Sequence, residues 1–243
     1  MDERQRVLAK FTGDVLRFTT RIEVVNPQNL NTVKQHLAYG SALVFSNHFA
    51  KLDPIAYGKM VGDYLTTLDN VTVMASRKHF DPQRGKLNRI QNYIGEGWEQ
   101  DYGIDIVKVV QRYDKDNYPD WESFNRQALK RVIEAARIPG RVIYVAPEGT
   151  RSRTNQLLEA ENGLGAIFRM GKNMLALPIA AQYGHVRPLM DKTIINVGVP
   201  FRIEEIVDPS EKRPEVITDL MMRRLANLLP EQHRGYYAAK AAS

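Results

Sequence analysis

Ala42-Leu43-Val44-Phe45-Ser46-Asn47-His48-Phe49-Ala50-Lys51-Leu52-Asp53-Pro54 runs from apolar residues through a polar turn into a helix-starting pair. The continuous apolar start reads as a strand buried on both faces, the pattern of a parallel sheet. His48 and Asp53 follow in the loop that leaves it, where binding and catalytic groups concentrate. Histidine takes a proton near neutral pH. A nearby carboxylate can hold its ring in one tautomer and stabilise its charged form. A plainer reading also stands: Asp53 with Pro54 is a natural helix start. Of the five histidines only His48 has an aspartate five positions on. With 14 aspartates in 243 residues, chance supplies about 0.3 such pairs, so the pair needs support from elsewhere.

Outward from this stretch the pattern repeats. Strands are expected over 22–25, 71–75, 104–110, 142–146, 175–180 and 193–199. Helices are expected over 30–37, 54–65, 121–137, 160–170 and 214–229, while 84–102 offers only glycines and helical fragments. Strands alternating with helices predict an α/β fold: a mostly parallel mixed sheet with helices on both faces. No Pro/Ser-rich linker divides the chain, so residues 1–243 read as a single domain with a core over about 40–240. In the leading segment, 1–20, Leu8, Phe11, Val15 and Phe18 fall at helical spacing among Arg4, Arg6, Lys10 and Arg17. That basic amphipathic helix suits either the core or an anionic membrane surface.

Composition narrows the chemistry. There is no cysteine, which excludes disulfides, thiolate metal sites and a cysteine nucleophile. His36, His79, His185 and His233 show no metal-ligand spacing, so no metal is expected. No run is apolar enough to span a bilayer, and the N-terminus lacks the apolar core of a signal peptide. The expected location is therefore cytoplasmic, on the inner face of the cell membrane. The net charge of +6 and pI of about 9.4 favour anionic partners. The charge is scattered and no RNA-recognition signature occurs, so nucleic acid is not expected as a partner.

A second polar run follows another buried strand: Ala146-Pro147-Glu148-Gly149-Thr150-Arg151-Ser152-Arg153. Crevices at the carboxyl ends of strands bind ligands in open α/β sheets. Arginine forks bind phosphate in bidentate fashion. The alternative is a solvated polar turn.

The two runs together resemble the glycerolipid acyltransferases, the superfamily of glycerol-3-phosphate and 1-acylglycerol-3-phosphate acyltransferases. Asn47-His48 with Asp53 matches their Asn-His-x4-Asp motif, and Pro147–Ser152 their Pro-Glu-Gly-Thr-Arg-Ser block. Val109-Val110-Gln111-Arg112 and Leu177-Pro178-Ile179 resemble the intervening and later blocks, and Leu228 to Tyr236 the tail of many bacterial members. Two positions depart: Ile106 stands where a glycine is usual, and Asn162-Gly163 where a lysine-glycine is common.

The resemblance implies transfer of a fatty acyl group from a thioester, of coenzyme A or acyl carrier protein, to a hydroxyl of a lysophosphatidate-like glycerophosphate. No cofactor is implied beyond that co-substrate. His48 would deprotonate the hydroxyl and Asp53 would orient His48. Arg112, Arg151 and Arg153 would hold the acceptor phosphate. Glu148 would orient an acceptor hydroxyl or brace an arginine, and Gly149 and Thr150 would lie against the substrate. Lys78, beside Arg77, is a further candidate for a coenzyme or lipid phosphate. The alternatives are a different acceptor (lysophospholipid, sugar or amino-lipid) and a non-catalytic lipid-binding module of the same fold.

Overall fold

The computed structural model of the chain describes residues 21–50, 53–183 and 193–240. The helix expected over 2–18 and His185 lie outside them. Seven strands form one sheet: β1 (Ile22–Val25), β2 (Ser41–Ser46), β3 (Val71–Ser76), β4 (Asp105–Val109), β5 (Val142–Val145), β6 (Met174–Tyr183) and β7 (Thr193–Val197). Their order is β1-β7-β6-β2-β5-β3-β4. All neighbours are parallel except β6 and β7. The fold is thus the α/β, mostly parallel mixed sheet that the alternating pattern predicts.

β2 lies at the centre and all six of its residues are buried. Its alternate side chains feed two cores. Leu43 and Phe45 join the core under α4 (Trp121–Ala135), α5 (Gly163–Met170) and α6 (Pro214–Ala226). Ala42 and Val44 join the other, under α1 (Gln28–His36) and α2 (Asp53–Tyr64). Helices therefore cover both faces, because a continuous apolar strand exposes apolar surface on each.

Two local outcomes differ from the sequence reading. Residues 86–102 form one helix, α3 (Lys86–Tyr102), rather than fragments. One of its glycines is there for space: a Cβ on Gly95 would come 2.5 Å from Phe80 Cε1. The helix expected from 160 starts only at Gly163. The Ala160 and Glu161 amides bond Tyr237 Oη and the Pro147 carbonyl instead, which holds this stretch out of the helix. The strand expected over 175–180 is present and holds Pro178, although proline has no N–H to donate. Pro178 lies where β7 has ended: the partner chain leaves the ladder at Val197 and rejoins it at Phe201.

The topology has one functional consequence. β2, β5, β3 and β4 run the same way, so the chain leaves all four at one edge of the sheet. The loops carrying His48, Glu148, Lys78 and Arg112 therefore emerge there together.

Candidate active site

Asp53 opens α2 and is fully buried. Its Oδ2 accepts from His48 Nδ1 at 2.8 Å, from the Phe49 amide at 2.7 Å and from the Ala50 amide at 2.9 Å. A carboxylate only accepts, so Nδ1 carries the proton and Nε2 is left as the free ring nitrogen. His48 Nε2 makes no hydrogen bond among the described residues, and a quarter of the side chain (24%) is exposed. The pair is thus both a helix start and a dyad: the carboxylate turns back onto the loop rather than forward along the helix.

Asn47, buried, locks this loop to the neighbouring strand. Its amide exchanges two hydrogen bonds with the Ala181 backbone, at 2.8 and 3.0 Å. Tyr57 Oη reaches its carbonyl at 3.2 Å. Beside it Ser46 Oγ and Tyr144 Oη share a hydrogen bond of 2.8 Å. Burial pushes both phenols well above their ordinary range, so they stay neutral.

The loop after β5 is stitched to the histidine loop. The Ser152 amide donates to the His48 carbonyl at 2.8 Å. The His48 amide donates to Glu148 Oε1 at 2.9 Å, and the Leu158 amide to Glu148 Oε2 at 2.7 Å. Glu148 braces no arginine among the described residues. Its oxygens accept from two backbone amides, and it is only 4% exposed. Burial pushes its carboxyl up to about 8, against the pull of those two amides. Gly149 has φ +66°, which disfavours other residues, and a Cβ there would lie 2.4 Å from Gln111 Oε1, so that side chain would have to move.

The cations divide into two groups. Arg151 is half-buried and Arg153 exposed; neither makes a side-chain hydrogen bond or ion pair among the described residues. The neighbouring Thr150 is half-buried and likewise unengaged. Arg112 reaches the same loop but is paired with Glu159 and Glu161, each at 3.4 Å. These are long, exposed pairs, worth about 0–1 kcal/mol. Lys78 is turned onto Tyr113, donating to its hydroxyl and lying 4.3 Å from the ring centroid. Arg77 forks onto Asp120 and stacks over Tyr118 and Phe124. Both follow β3, which β5 separates from β2. The structure therefore brings Arg112, Arg151 and Arg153 to the Glu148 loop, and gives Lys78 and Arg77 partners of their own.

A cavity of about 190 Å³ opens beside Gly149. Gln111 and Glu161 stand at its polar end; Met74, Val109, Leu129 and Leu164 form its apolar wall. Asn125 fixes the strand end above it, exchanging hydrogen bonds of 2.8 and 2.7 Å with the Val110 backbone. Sequence reading gave no individual role to Gln111, Asn125 or Ser152, though Gln111 and Ser152 lie within the quoted blocks. The first half of α4 brings Asn125 here, and the loops after β4 and β5 bring Gln111 and Ser152. Among the described residues no group of three or more His, Asp or Glu side chains is placed to share a metal ion.

An α/β sheet thus carries a histidine bonded to a buried carboxylate, and arginines without a side-chain partner among the described residues, at one of its edges. The Acyltransferase family model matches residues 21–182, and the chain belongs to that family. Among solved structures it is similar to the crystal structure of the 1-acyl-sn-glycerophosphate (LPA) acyltransferase PlsC from Thermotoga maritima. The identity is 16%, over 89% of this chain and 79% of that one, with a TM-score of 0.45. No curated protein matches the sequence.

Proposed function

We propose that this acyltransferase moves a fatty acyl group from a coenzyme A or acyl carrier protein thioester to a hydroxyl of a lysophosphatidate-like acceptor. The observation that carries this is the dyad: His48 Nδ1 tied to buried Asp53, with Nε2 free, on a loop bonded to the arginine-bearing one. Nε2 takes the proton of the acceptor hydroxyl as its oxygen attacks the thioester carbonyl. Asp53 stabilises the imidazolium that forms. The tetrahedral intermediate collapses with loss of the C–S bond, and the imidazolium returns the proton to the departing thiolate. The products are an ester and a free thiol. Arg151 and Arg153, with Arg112, bind the acceptor phosphate and keep the hydroxyl near the base. The mostly apolar cavity beside Gly149 suits part of an amphiphile.

The pairing of Arg112 with two glutamates favours a second reading, in which the acceptor lacks a phosphate monoester: a lysophospholipid, sugar or amino-lipid. The net charge of +6 supports work at an anionic membrane surface from the cytoplasmic side. No helix among the described residues is long and apolar enough to cross a membrane.

The test is thiol release from palmitoyl-coenzyme A with a panel of lysolipid and glycerophosphate acceptors. Acceptor-dependent release is expected, falling about 10²–10⁴-fold in a folded His48→Ala variant. Equal rates in the two proteins would remove His48 as the base, and the acceptor that supports release decides between the two readings.

A further inference from the structure

The chain after α6 returns to the active-site edge and is bonded there in detail. The Leu157 amide donates to the His233 carbonyl at 2.9 Å, and the Tyr236 amide to the Leu157 carbonyl at 3.0 Å. His233 Nδ1 lies 2.7 Å from the Asn155 carbonyl, which only accepts, so this nitrogen donates. Tyr237 Oη accepts from the Ala160 amide at 3.1 Å. Gly235, at φ +46°, passes so close that a Cβ would sit 2.3 Å from the Leu157 carbonyl oxygen. Residues 155–160 are thus clasped by residues 232–237.

Two paths lead from this strap to the dyad. Through the clasped segment, Leu158 donates to Glu148, which receives the His48 amide on its other oxygen. Directly, the His233 ring lies 6.0 Å (centroid to centroid) from that of Phe49, whose amide donates to Asp53 Oδ2. Both partners of the dyad are therefore reached from one segment distant in sequence.

We propose that the strap Glu231–Tyr237 is a positioning element of the acyl-transfer site, with His233 and Tyr237 as its positioning residues. This rests on the acyltransferase mechanism proposed above. Each bonds the 155–160 segment, and that segment holds the loop from which His48 projects. A misplacement of about 1 Å transmitted from a distance can cost on the order of 10²-fold in rate.

The test compares His233→Phe and Tyr237→Phe with wild type. Tyr237→Phe keeps the ring and removes the Oη that accepts from the Ala160 amide; His233→Phe puts a phenyl in place of the imidazole and removes the donor to the Asn155 carbonyl. Each is expected to lower kcat for thiol release about 10- to 100-fold, with KM for donor and acceptor within about twofold. His233→Asn, which restores an N–H near the Nδ1 position, is expected to recover most of kcat. In histidine-labelled protein the His48 ring resonance, assigned by its loss in His48→Gln, is expected to shift in both Phe variants. A His48 resonance that stays put, with kcat within twofold in both, would overturn the proposal. Should Tyr237→Phe fail to fold, the His233→Phe and His233→Asn pair decides alone. If wild type releases no thiol, the acyl-transfer mechanism fails, while the His48 resonance still decides whether the strap positions the dyad.

Discussion

Gly149 and Asp53 show how sharply single positions are constrained. Gly149 combines a left-handed backbone with the Gln111 side chain over its Cα. The backbone cost of Ala there is about 1–2 kcal/mol before any collision. Gly149→Ala is therefore expected to lower thermal stability and to reduce turnover by displacing Gln111, checked by calorimetry and the thiol assay. Asp53→Asn keeps the shape of the side chain but weakens its acceptance of three N–H groups and frees the His48 tautomer. Turnover is expected to fall about 10²–10⁴-fold, with His48→Ala no worse when combined with it, since the two act as one unit. The dyad itself was legible from its spacing and its place after an apolar run. The duty of Glu148 was not: a glutamate among arginines reads as an ion-pair partner, and only burial beside two backbone amides makes it a clasp.

At the level of elements, the loops after β2 and β5 behave as one unit because Glu148 and Ser152 bond both. This unit has a pH signature. Burial lifts the Glu148 carboxyl to about 8 in the folded protein, above the carboxylate value of about 4.3 that applies when the chain unfolds. The folded state then holds the extra proton between those values, so stability falls as pH rises. The contribution is complete below about pH 4 and gone above about pH 8. Glu148→Gln removes the titration, so the difference in unfolding free energy between wild type and variant is expected to shrink with rising pH over that window. Denaturant melts from pH 5 to 9 check this; a pH-independent difference would contradict it. Element types were largely readable from apolar periodicity, but boundaries were not. The start of α5 at Gly163 depends on Tyr237 Oη and the Pro147 carbonyl, partners far from residue 160 in sequence. Glycines inside α3 obscured a helix whose close packing on Phe80 needs one of them.

For the whole molecule, the positive charge predicts binding to anionic vesicles that weakens as salt shortens the Debye length from about 10 Å at 0.1 M to about 3 Å at 1 M. Co-sedimentation across that range tests it, and removal of residues 1–18 shows whether the basic N-terminal segment carries the contact; unchanged binding would acquit it. The sequence by itself determined the α/β class, the apolar strands, the His48–Asp53 pair and the arginine-bearing block. These are local: each rests on spacing within a dozen residues, where periodicity and side-chain chemistry speak directly. Tertiary structure alone decided which candidates meet. It placed four strand ends on one edge and paired Arg112 with glutamates. It gave Lys78 to Tyr113, set Gln111 over Gly149 and clasped the site with the C-terminal strap. Such outcomes depend on which strand lies beside which and on contacts between residues as much as 134 positions apart, and no short-range pattern specifies them.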